Sequence, residues 1–339
     1  MLGIDIGTKN IKIVNAVKKS DEFYDITADM VAIPANANAK TRDKTVSQLL
    51  RSLVRKNGIK EKVATASIGN PDIVIRKLDF PNMPRGELSN TIKLQAERLI
   101  YTDLNKMDTD FDVRNREDKE GMDVIFVAIE KEMVTRHMKL IQDGGLEPVI
   151  IDVDNLAMGN SYLSFEPNAP NESVLLMNIG HSKTCFTIVS EGNFCFTKSI
   201  SFGGKDITEE IKKEMDISYE KADVLKKKTE QWDEVGMNIK NILRKCSADL
   251  LEAIYRSVEY CKSQGLLQSI DRMLLTGGSA RLGEIDSFFN GILGMPAEIW
   301  NPFNNIKLLR DKKLGEYMSV ALGAAMRRYS TGYRSRQNV

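Results

Sequence analysis

The sequence contains few of the cysteine and histidine residues on which zinc-binding and disulfide-bonded proteins depend. Its four cysteines and two histidines show neither a Cys-x-x-Cys pair nor a histidine spacing typical of metal ligands. Zinc sites and disulfide frameworks need such spacings, so we expect neither. Cys185 and Cys195 stand in apolar stretches and are expected to be small buried side chains.

An excess of one charge and long hydrophobic runs are also missing. The net charge is +1, which gives no general attraction to nucleic acid or to an anionic membrane. No apolar run approaches the ~18 residues of a membrane-spanning helix, and no basic segment followed by an apolar one opens the chain. We therefore expect a cytoplasmic protein with no nucleic-acid partner and no direct membrane insertion.

What remains is the composition of a globular protein, with 42% hydrophobic and 28% charged residues. At 339 residues the chain is longer than one ordinary core can organise. Two domains, or several subdomains, are therefore expected.

The N-terminus predicts a β-hairpin with a polar tip. An apolar run, Leu2–Ile6, ends at a polar turn, and a second apolar run, Ile11–Val14, follows it. The turn region combines a carboxylate, a glycine, a hydroxyl and an ammonium group in Asp5, Gly7, Thr8 and Lys9. Backbone N–H groups and such side chains can hold a phosphate group together with its metal ion.

The hairpin pattern occurs a second time. Met177–Val189 repeats the apolar strand, the turn glycine (Gly180), the polar tip and the returning strand. Asp5 and Asn178, which precede the two turns, stand about half the chain apart. The repeat predicts two similar halves, each presenting one hairpin, and two facing hairpins can clamp one polyphosphate from both sides.

A third stretch, Leu274–Leu282, has a strand followed by Gly277 and Gly278. Paired glycines let a flat ring lie against bare backbone. In this order and spacing, the three stretches resemble the phosphate-1, phosphate-2 and adenosine loops of the actin-like ATPase superfamily. Each stretch alone is also compatible with an ordinary tight turn.

Periodicity predicts the elements between these loops. A strand at Tyr24–Ile33, a helix with its apolar face along Val46–Val54 and a strand at Val63–Ile68 give the order β-β-β-α-β after the first hairpin is included. Residues 71–149 have the pattern of a separate α+β insertion. The second half again combines strands with helices, up to a final helix rich in small residues at Val320–Met326.

Further stretches carry a closer resemblance: Phe80-Pro-Asn-Met-Pro84, Glu87–Glu97, Val149–Asp154, Ser201–Thr208 and Leu275–Arg281. With them the sequence resembles the type IV pilus assembly protein PilM family, itself similar to the cell-division protein FtsA, from Gly3 to about Tyr329. The resemblance implies an α/β, actin-like (ribonuclease H-like) duplicated fold with an inserted α+β subdomain of the FtsA/PilM type.

The resemblance also implies a domain plan. The expected segments are the first part of subdomain 1A at 1–70, an inserted subdomain 1C at 71–149, the connecting helix of 1A at 150–172, the first part of 2A at 173–216, subdomain 2B at 217–268, the second part of 2A at 269–318, and a helix returning to 1A with a disordered tail at 319–339.

If ATP lies between the halves, as the resemblance implies, the loops suggest its contacts. Asp5 is expected to hold Mg²⁺ through water, because this ion keeps part of its hydration shell beside phosphates. The two turns are expected to take the phosphates from either side, and the third loop to support the adenosine. The expected ATP-binding residues are Gly7, Thr8, Lys9, Asn10, Lys12, Gly180, His181, Ser182, Lys183, Lys226, Gly277, Gly278 and Ser279.

One position departs from the superfamily pattern and bears on hydrolysis. An aspartate is usual in the second phosphate loop, where this chain has Asn178. An amide brings no negative charge and cannot act as a base at neutral pH. The remaining candidate for a catalytic residue is Asp154, which stands at a helix start and can equally be a capping residue. We therefore expect ATP binding with weak or absent ATPase activity.

The PilM resemblance implies a cytoplasmic scaffold of the type IV pilus machine, peripheral to the inner membrane through its protein partners. In that family the actin-like body binds the N-terminal cytoplasmic peptide of the membrane protein PilN. It also contacts the pilus assembly and retraction ATPases and the platform protein. The peptide groove would fall around residues 71–150, and self-association is left open.

Two alternatives belong to other classes. An FtsA-like division protein attaches to the membrane by a C-terminal amphipathic helix, whereas Arg327–Val339 is basic without an apolar face. A small-molecule kinase of the same superfamily also opens with Asp-x-Gly-Thr, but it needs a base for its substrate hydroxyl. Asn178 and the compact insertion weigh against the kinase.

Overall fold

The computed structural model describes residues 1–18, 24–35, 41–99, 103–115, 121–228, 232, 238–306 and 313–327. The chain forms two compact units, one of Met1–Gly69 with Leu140–Val339 and one of Asn70–Lys139. Within the described ranges, no helix combines the length and the apolar character needed to cross a bilayer. The tail expected after the last helix, residues 328–339, lies outside these ranges.

The strands of the described part are β1 (Leu2–Ile6), β2 (Asn10–Lys18), β3 (Tyr24–Ala32), β4 (Val63–Ile68), β5 (Val74–Phe80), β6 (Met107–Asn115), β7 (Met122–Glu130), β8 (Glu147–Val153), β9 (Ser173–Ile179), β10 (Thr184–Ser190), β11 (Asn193–Ile200), β12 (Arg272–Thr276) and β13 (Ala297–Ile299). The α-helices of the same part are α1 (Arg42–Lys56), α2 (Arg85–Leu99), α3 (Lys131–Asp143), α4 (Asp154–Phe165), α5 (Gly204–Met215), α6 (Tyr219–Lys226), α7 (Ile239–Cys246), α8 (Ala248–Ser263), α9 (Ile285–Leu293) and α10 (Ser319–Met326).

The larger unit contains two five-stranded sheets built on one plan. The first has the order β3-β2-β1-β4-β8 and the second the order β11-β10-β9-β12-β13. In the first sheet β1 is antiparallel to β2 and parallel to β4, and in the second β9 is antiparallel to β10 and parallel to β12. The duplication expected from the two hairpin patterns is therefore confirmed, as is the order β-β-β-α-β at the N-terminus.

Each sheet packs its own apolar core. The spacing of Val46, Leu50 and Leu53 puts these side chains on one face of α1, and all three are buried with the first sheet. In the second sheet, Cys185 and Cys195 are buried free thiols, as the sequence predicts. Burial raises the pKa of Cys185 to about 12, so its thiol stays protonated at neutral pH.

Helix α10 lies very close to both α4 and β1. A Cβ atom at Gly323 would lie 1.6 Å from the Ala157 carbonyl oxygen, and one at Gly3 would lie 2.0 Å from the Ala321 carbonyl oxygen. Backbones can approach so closely only where glycine carries no side chain. The small residues of α10 therefore fix the position of β1, the strand that leads into the first hairpin turn.

The smaller unit contains a three-stranded sheet of order β5-β7-β6 and helix α2. Leu88, Ile92 and Ala96 follow at every fourth position of α2 and pack with Val124 and Phe126 of β7. This unit, Asn70–Lys139, overlaps the α+β insertion expected at 71–149. The subdomain boundaries derived from the sequence stay predictions.

We expect Gly323→Ala to lower the free energy of unfolding by about 3 kcal/mol, because an added methyl group in a filled space forces the backbones apart. Gly291→Ala is the matched control, since Gly291 also lies inside a helix but has no atom within 4 Å of the added Cβ. The control should stabilise the protein by about 0.5–1 kcal/mol. Urea unfolding followed by circular dichroism measures both changes, and equal effects would contradict the close packing of α10.

Candidate functional site

Two hairpin turns of the larger unit are each closed by an equivalent backbone hydrogen bond. Between β1 and β2, the Gly7 amide donates to the Asn10 carbonyl oxygen at 2.9 Å. Between β9 and β10, the Gly180 amide donates to the Lys183 carbonyl oxygen at 2.9 Å. The repeated sequence pattern therefore produces a repeated backbone geometry.

The tips of the two turns are in contact. The Thr8 and Ser182 hydroxyl oxygens lie 2.7 Å apart, although the residues come from different sheets. From the other side, Arg42 of α1 donates to the carbonyl oxygens of Gly7 at 3.1 Å and of Thr8 at 2.9 Å. The first turn is thus held between the guanidinium group behind it and the second turn in front.

A third turn follows β12 and packs onto the second hairpin turn. Gly277 has a φ of 94°, which glycine adopts readily, and a Cβ there would lie 2.2 Å from Asn178 Oδ1. The Ser279 amide donates to the Ile179 carbonyl oxygen at 3.0 Å, and the Ser279 hydroxyl donates to the Gly180 carbonyl oxygen at 2.8 Å. These contacts bring all three glycine turns to one region.

The three turns line one cavity of about 460 Å³, a size typical of small-molecule sites. Most residues that the sequence singles out are on its surface: Asp5, Gly7, Thr8, Lys9, Asn10, Lys12, Asp154, Gly180, His181, Lys183, Lys226, Gly278 and Ser279. Ser182 and Gly277 are not. Ser182 contacts Thr8 instead, and the Gly277 amide donates to the Glu316 carbonyl oxygen at 2.7 Å.

The cavity also includes side chains that sequence reasoning missed. Asp223 and Lys227 lie on or next to α6, and Arg281 and Tyr317 lie near the third turn, with the guanidinium carbon 5.8 Å from the centre of the tyrosine ring. Lys226 and Lys227 follow Asp223 by three and four residues, the spacing of neighbours on one helix face. This spacing could have identified Asp223 from the sequence. Tyr317 has no comparable signal, because it comes from a short turn before α10.

Two buried ion pairs lie at the hairpin turns. Lys12 Nζ donates to Asp5 Oδ2 at 2.6 Å, and Lys183 Nζ donates to Asp154 Oδ2 at 2.8 Å. Burial opposes the charge of Asp154, but the Lys183 ammonium group outweighs it and holds the pKa of that carboxyl below its usual value. Burial also opposes the charge of Lys183, yet Asp154 raises the pKa of the amine. The second pair is therefore ionised.

Asp154 is the first residue of α4, and the N-cap of that helix is Val153, with no side-chain capping hydrogen bond. The capping alternative for Asp154 is therefore wrong. Its carboxylate bonds Lys183, a residue of the other sheet, and the catalytic assignment stays a prediction.

A second charged cluster surrounds Asp223. Its carboxylate lies 3.1 Å from Lys9 Nζ, 3.1 Å from Lys226 Nζ and 2.5 Å from Lys227 Nζ. Burial opposes ionisation, but these three ammonium groups hold the pKa of Asp223 far below its usual value. Burial first, and then the charges of Lys9 and Lys226, lower the pKa of His181, so its ring is neutral at neutral pH.

The carboxylates near the turns do not fit a magnesium ion bound by the protein alone. In the part of the chain that the structure describes, no group of three His, Cys, Asp or Glu side chains is arranged to hold a metal. Asp5 and Asp154 each accept a hydrogen bond from a lysine, and Asn178, which also lines the cavity, has a neutral amide. Mg²⁺ could be held at Asp5 only with water and phosphate oxygens completing its coordination.

Comparisons with known proteins identify the family. A family model described as "Type IV pilus assembly protein PilM" matches residues 3–329. The chain is also 25% identical to the cell division protein FtsA of Bacillus subtilis (strain 168) in an alignment of 191 residues that covers 51% of this chain and 43% of that protein. The match thus spans less than half the length of this curated relative.

Solved structures share the fold. The PilM-PilN type IV pilus biogenesis complex matches with a TM-score of 0.81 and 22% identity, covering 96% of this chain and 97% of that chain. MreB5 of Spiroplasma citri bound to ADP matches with a TM-score of 0.52 and 14% identity, covering 95% and 94%. The predicted fold class, an actin-like duplicated fold with the inserted α+β subdomain, is confirmed.

We expect Lys183→Met to lower the free energy of unfolding by about 3–5 kcal/mol, because Asp154 would be left as a buried charge without its partner. Adding Asp154→Asn removes that charge, so the double variant should regain most of the loss. Lys212→Met, at an exposed lysine, is the control. Urea unfolding at neutral pH measures all three, and a single variant as stable as the control would contradict the ion pair.

Proposed function

The chain belongs to the family of the type IV pilus assembly protein PilM, and from this membership we propose that it is a cytoplasmic, ATP-binding, actin-like scaffold of the pilus inner-membrane assembly complex. The proposal that the protein binds a nucleotide rests on the charge of the cavity. In the described part of the chain, six cationic side chains and three carboxylates line it: Lys9, Lys12, Lys183, Lys226, Lys227 and Arg281, against Asp5, Asp154 and Asp223. Such an excess of positive charge attracts polyphosphates.

In this proposal the two hairpin turns hold the phosphates between them. Thr8, Lys9, Asn10 and Lys12 contact the phosphates from the first sheet, and Gly180, His181 and Lys183 contact them from the second. Gly278 and Ser279 support the adenosine, with Arg281 and Tyr317 beside them. Mg²⁺, when it accompanies the nucleotide, lies near Asp5 and is held through water.

A relative of the same fold supports the nucleotide proposal. MreB5 of Spiroplasma citri is described in complexes with ADP and with AMPPNP. Its likeness to this chain concerns the fold, so the chemistry of the cavity itself carries the argument for this protein.

We further propose that ATP turnover is slow or absent. Hydrolysis needs a group that orients or deprotonates the attacking water. Asn178 is neutral, and the carboxylate of Asp154 bonds Lys183 at 2.8 Å. Neither group is a ready base, so the nucleotide acts as a structural or regulatory ligand.

For the partner we propose the N-terminal cytoplasmic peptide of a PilN-like membrane protein. The smaller unit offers a sheet face opposite α2 on which Ile75, Ile125 and Val127 are partly exposed. The exposed acidic side chains of Asp108 and Asp112 lie on the neighbouring strand β6. A peptide with apolar and basic side chains complements this face.

In this proposal the partner holds the scaffold at the inner membrane. Contacts to the pilus assembly and retraction ATPases and to the platform protein complete the proposed role, and a filament of identical subunits is a further possibility for actin-like folds.

We expect purified protein to bind ATP, and Lys9→Met to weaken binding about tenfold, because a charged hydrogen bond to phosphate is lost. Lys9 suits this test because Asp223 keeps two other lysine partners. Isothermal titration calorimetry measures the affinity, and Lys212→Met should leave it unchanged.

Turnover should stay below about one per minute, well under the range of ordinary enzymes. Phosphate release measured under saturating ATP decides this. Hydrolysis of many molecules per second that is abolished by Asp5→Ala would contradict the scaffold proposal.

We expect a synthetic N-terminal peptide of a PilN-like protein to bind the purified chain. Val127→Glu should reduce the affinity at least about tenfold, because it puts a charge on the apolar sheet face. Leu94→Glu is the control, since Leu94 is 65% exposed on α2, the other side of the sheet. Fluorescence anisotropy measures binding with and without ATP, and no binding in either condition would refute the partner proposal.

A further inference from the structure

The protein's own charges already cancel at the two hairpin turns. Asp5 and Asp154 are nearly inaccessible, with side chains 7% and 6% exposed, and each is paired with one lysine. Buried pairs are screened by salt much less than surface pairs. Lys12 and Lys183 therefore neutralise both carboxylates without help from a bound ion.

The Lys183 pair is built into the fold. Lys183 lies in the turn between β9 and β10 of the second sheet, whereas Asp154 begins α4, directly after β8 of the first sheet. A Cβ at Gly69, just after β4, would lie 1.7 Å from Lys183 Nζ and 2.0 Å from Asp154 Oδ2. The pair thus fills the space that a side chain at position 69 would need.

A divalent cation is drawn to a site by negative charge that its surroundings leave uncompensated. Here the amide of Asn178 contributes none, and the two nearby carboxylates are matched by ammonium groups. Among the described residues that line the cavity, Lys9, Lys226 and Lys227 all pair with Asp223, which leaves positive charge for phosphates.

We propose that Lys12 and Lys183 occupy the role of a divalent cation beside Asp5 and Asp154, so that the cavity binds nucleoside di- and triphosphates without Mg²⁺. The two ammonium groups neutralise the two carboxylates as one such ion would, and the positive charge left around Asp223 balances the phosphates. The inference rests on the proposed ATP binding and adds to it that the protein itself supplies the charge that compensates these carboxylates.

The test compares ATP affinity of the full chain in EDTA with that in excess Mg²⁺, by calorimetry. The two dissociation constants should agree within about threefold. Lys183→Met leaves a carboxylate uncompensated, so its binding should become at least about tenfold weaker in EDTA than in Mg²⁺. Lys212→Met should keep the ratio of the wild-type protein.

Lys183→Met removes the partner of the buried Asp154 carboxylate and is expected to destabilise the fold. A second variant therefore tests the inference independently. Asp154→Asn frees the Lys183 ammonium group for phosphate, and its ATP affinity in EDTA should rise at least about threefold. Thermal unfolding verifies that each variant is folded before titration.

The outcomes separate the two proposals. Binding of ATP only when Mg²⁺ is present would overturn this inference and leave the nucleotide-binding scaffold standing. An Asp154→Asn variant that binds no more tightly in EDTA than the wild-type protein would also overturn it. No binding in either condition would overturn both.

Discussion

The contact between the two hairpin turns is the constraint on which the site depends. The turns belong to different sheets, yet the hydroxyl groups of Thr8 and Ser182 lie 2.7 Å apart. That distance requires each sheet to be placed accurately, and Gly3 and Gly323 make it possible by letting α10 approach β1 and α4. A bulky side chain in α10 would therefore disturb the cavity, although neither glycine lines it.

The charges of the cavity are the basis for proposing that this protein binds ATP with slow or absent hydrolysis. Three lysines around Asp223, and one lysine on each of Asp5 and Asp154, give a lining that favours anions. The same ion pairs take up the carboxylates that a hydrolase would use to orient water. Features that strengthen attraction to a polyphosphate thus weaken the means of cleaving it.

The two compact units are suited to different kinds of ligand. The larger one has a charged cavity lined by short turns, which suits a small polar molecule. The smaller one has a sheet whose face opposite α2 retains partly exposed apolar side chains such as Val127, which suits an extended peptide. A scaffold that binds both kinds of ligand needs no reaction to do its work.

The duplicated fold could be predicted from the sequence, because strands and turns follow from local patterns. Alternating apolar residues and a glycine at the turn specify each hairpin through neighbours in the chain, and a spacing of three and four residues specifies a helix such as α1. For the same reason most of the cavity lining lay within the predicted loops.

Which side chains meet was decided only by the tertiary structure. The sequence predicts Ser182 and Gly277 as ATP-binding residues from the loop patterns, and the structure shows in addition that the Ser182 hydroxyl contacts Thr8 and that the Gly277 amide donates to the Glu316 carbonyl oxygen. The pairing of Lys183 with Asp154 joins a residue of the second sheet to the start of α4. Such partners are chosen by burial, distance and charge across packed elements, none of which a local pattern contains.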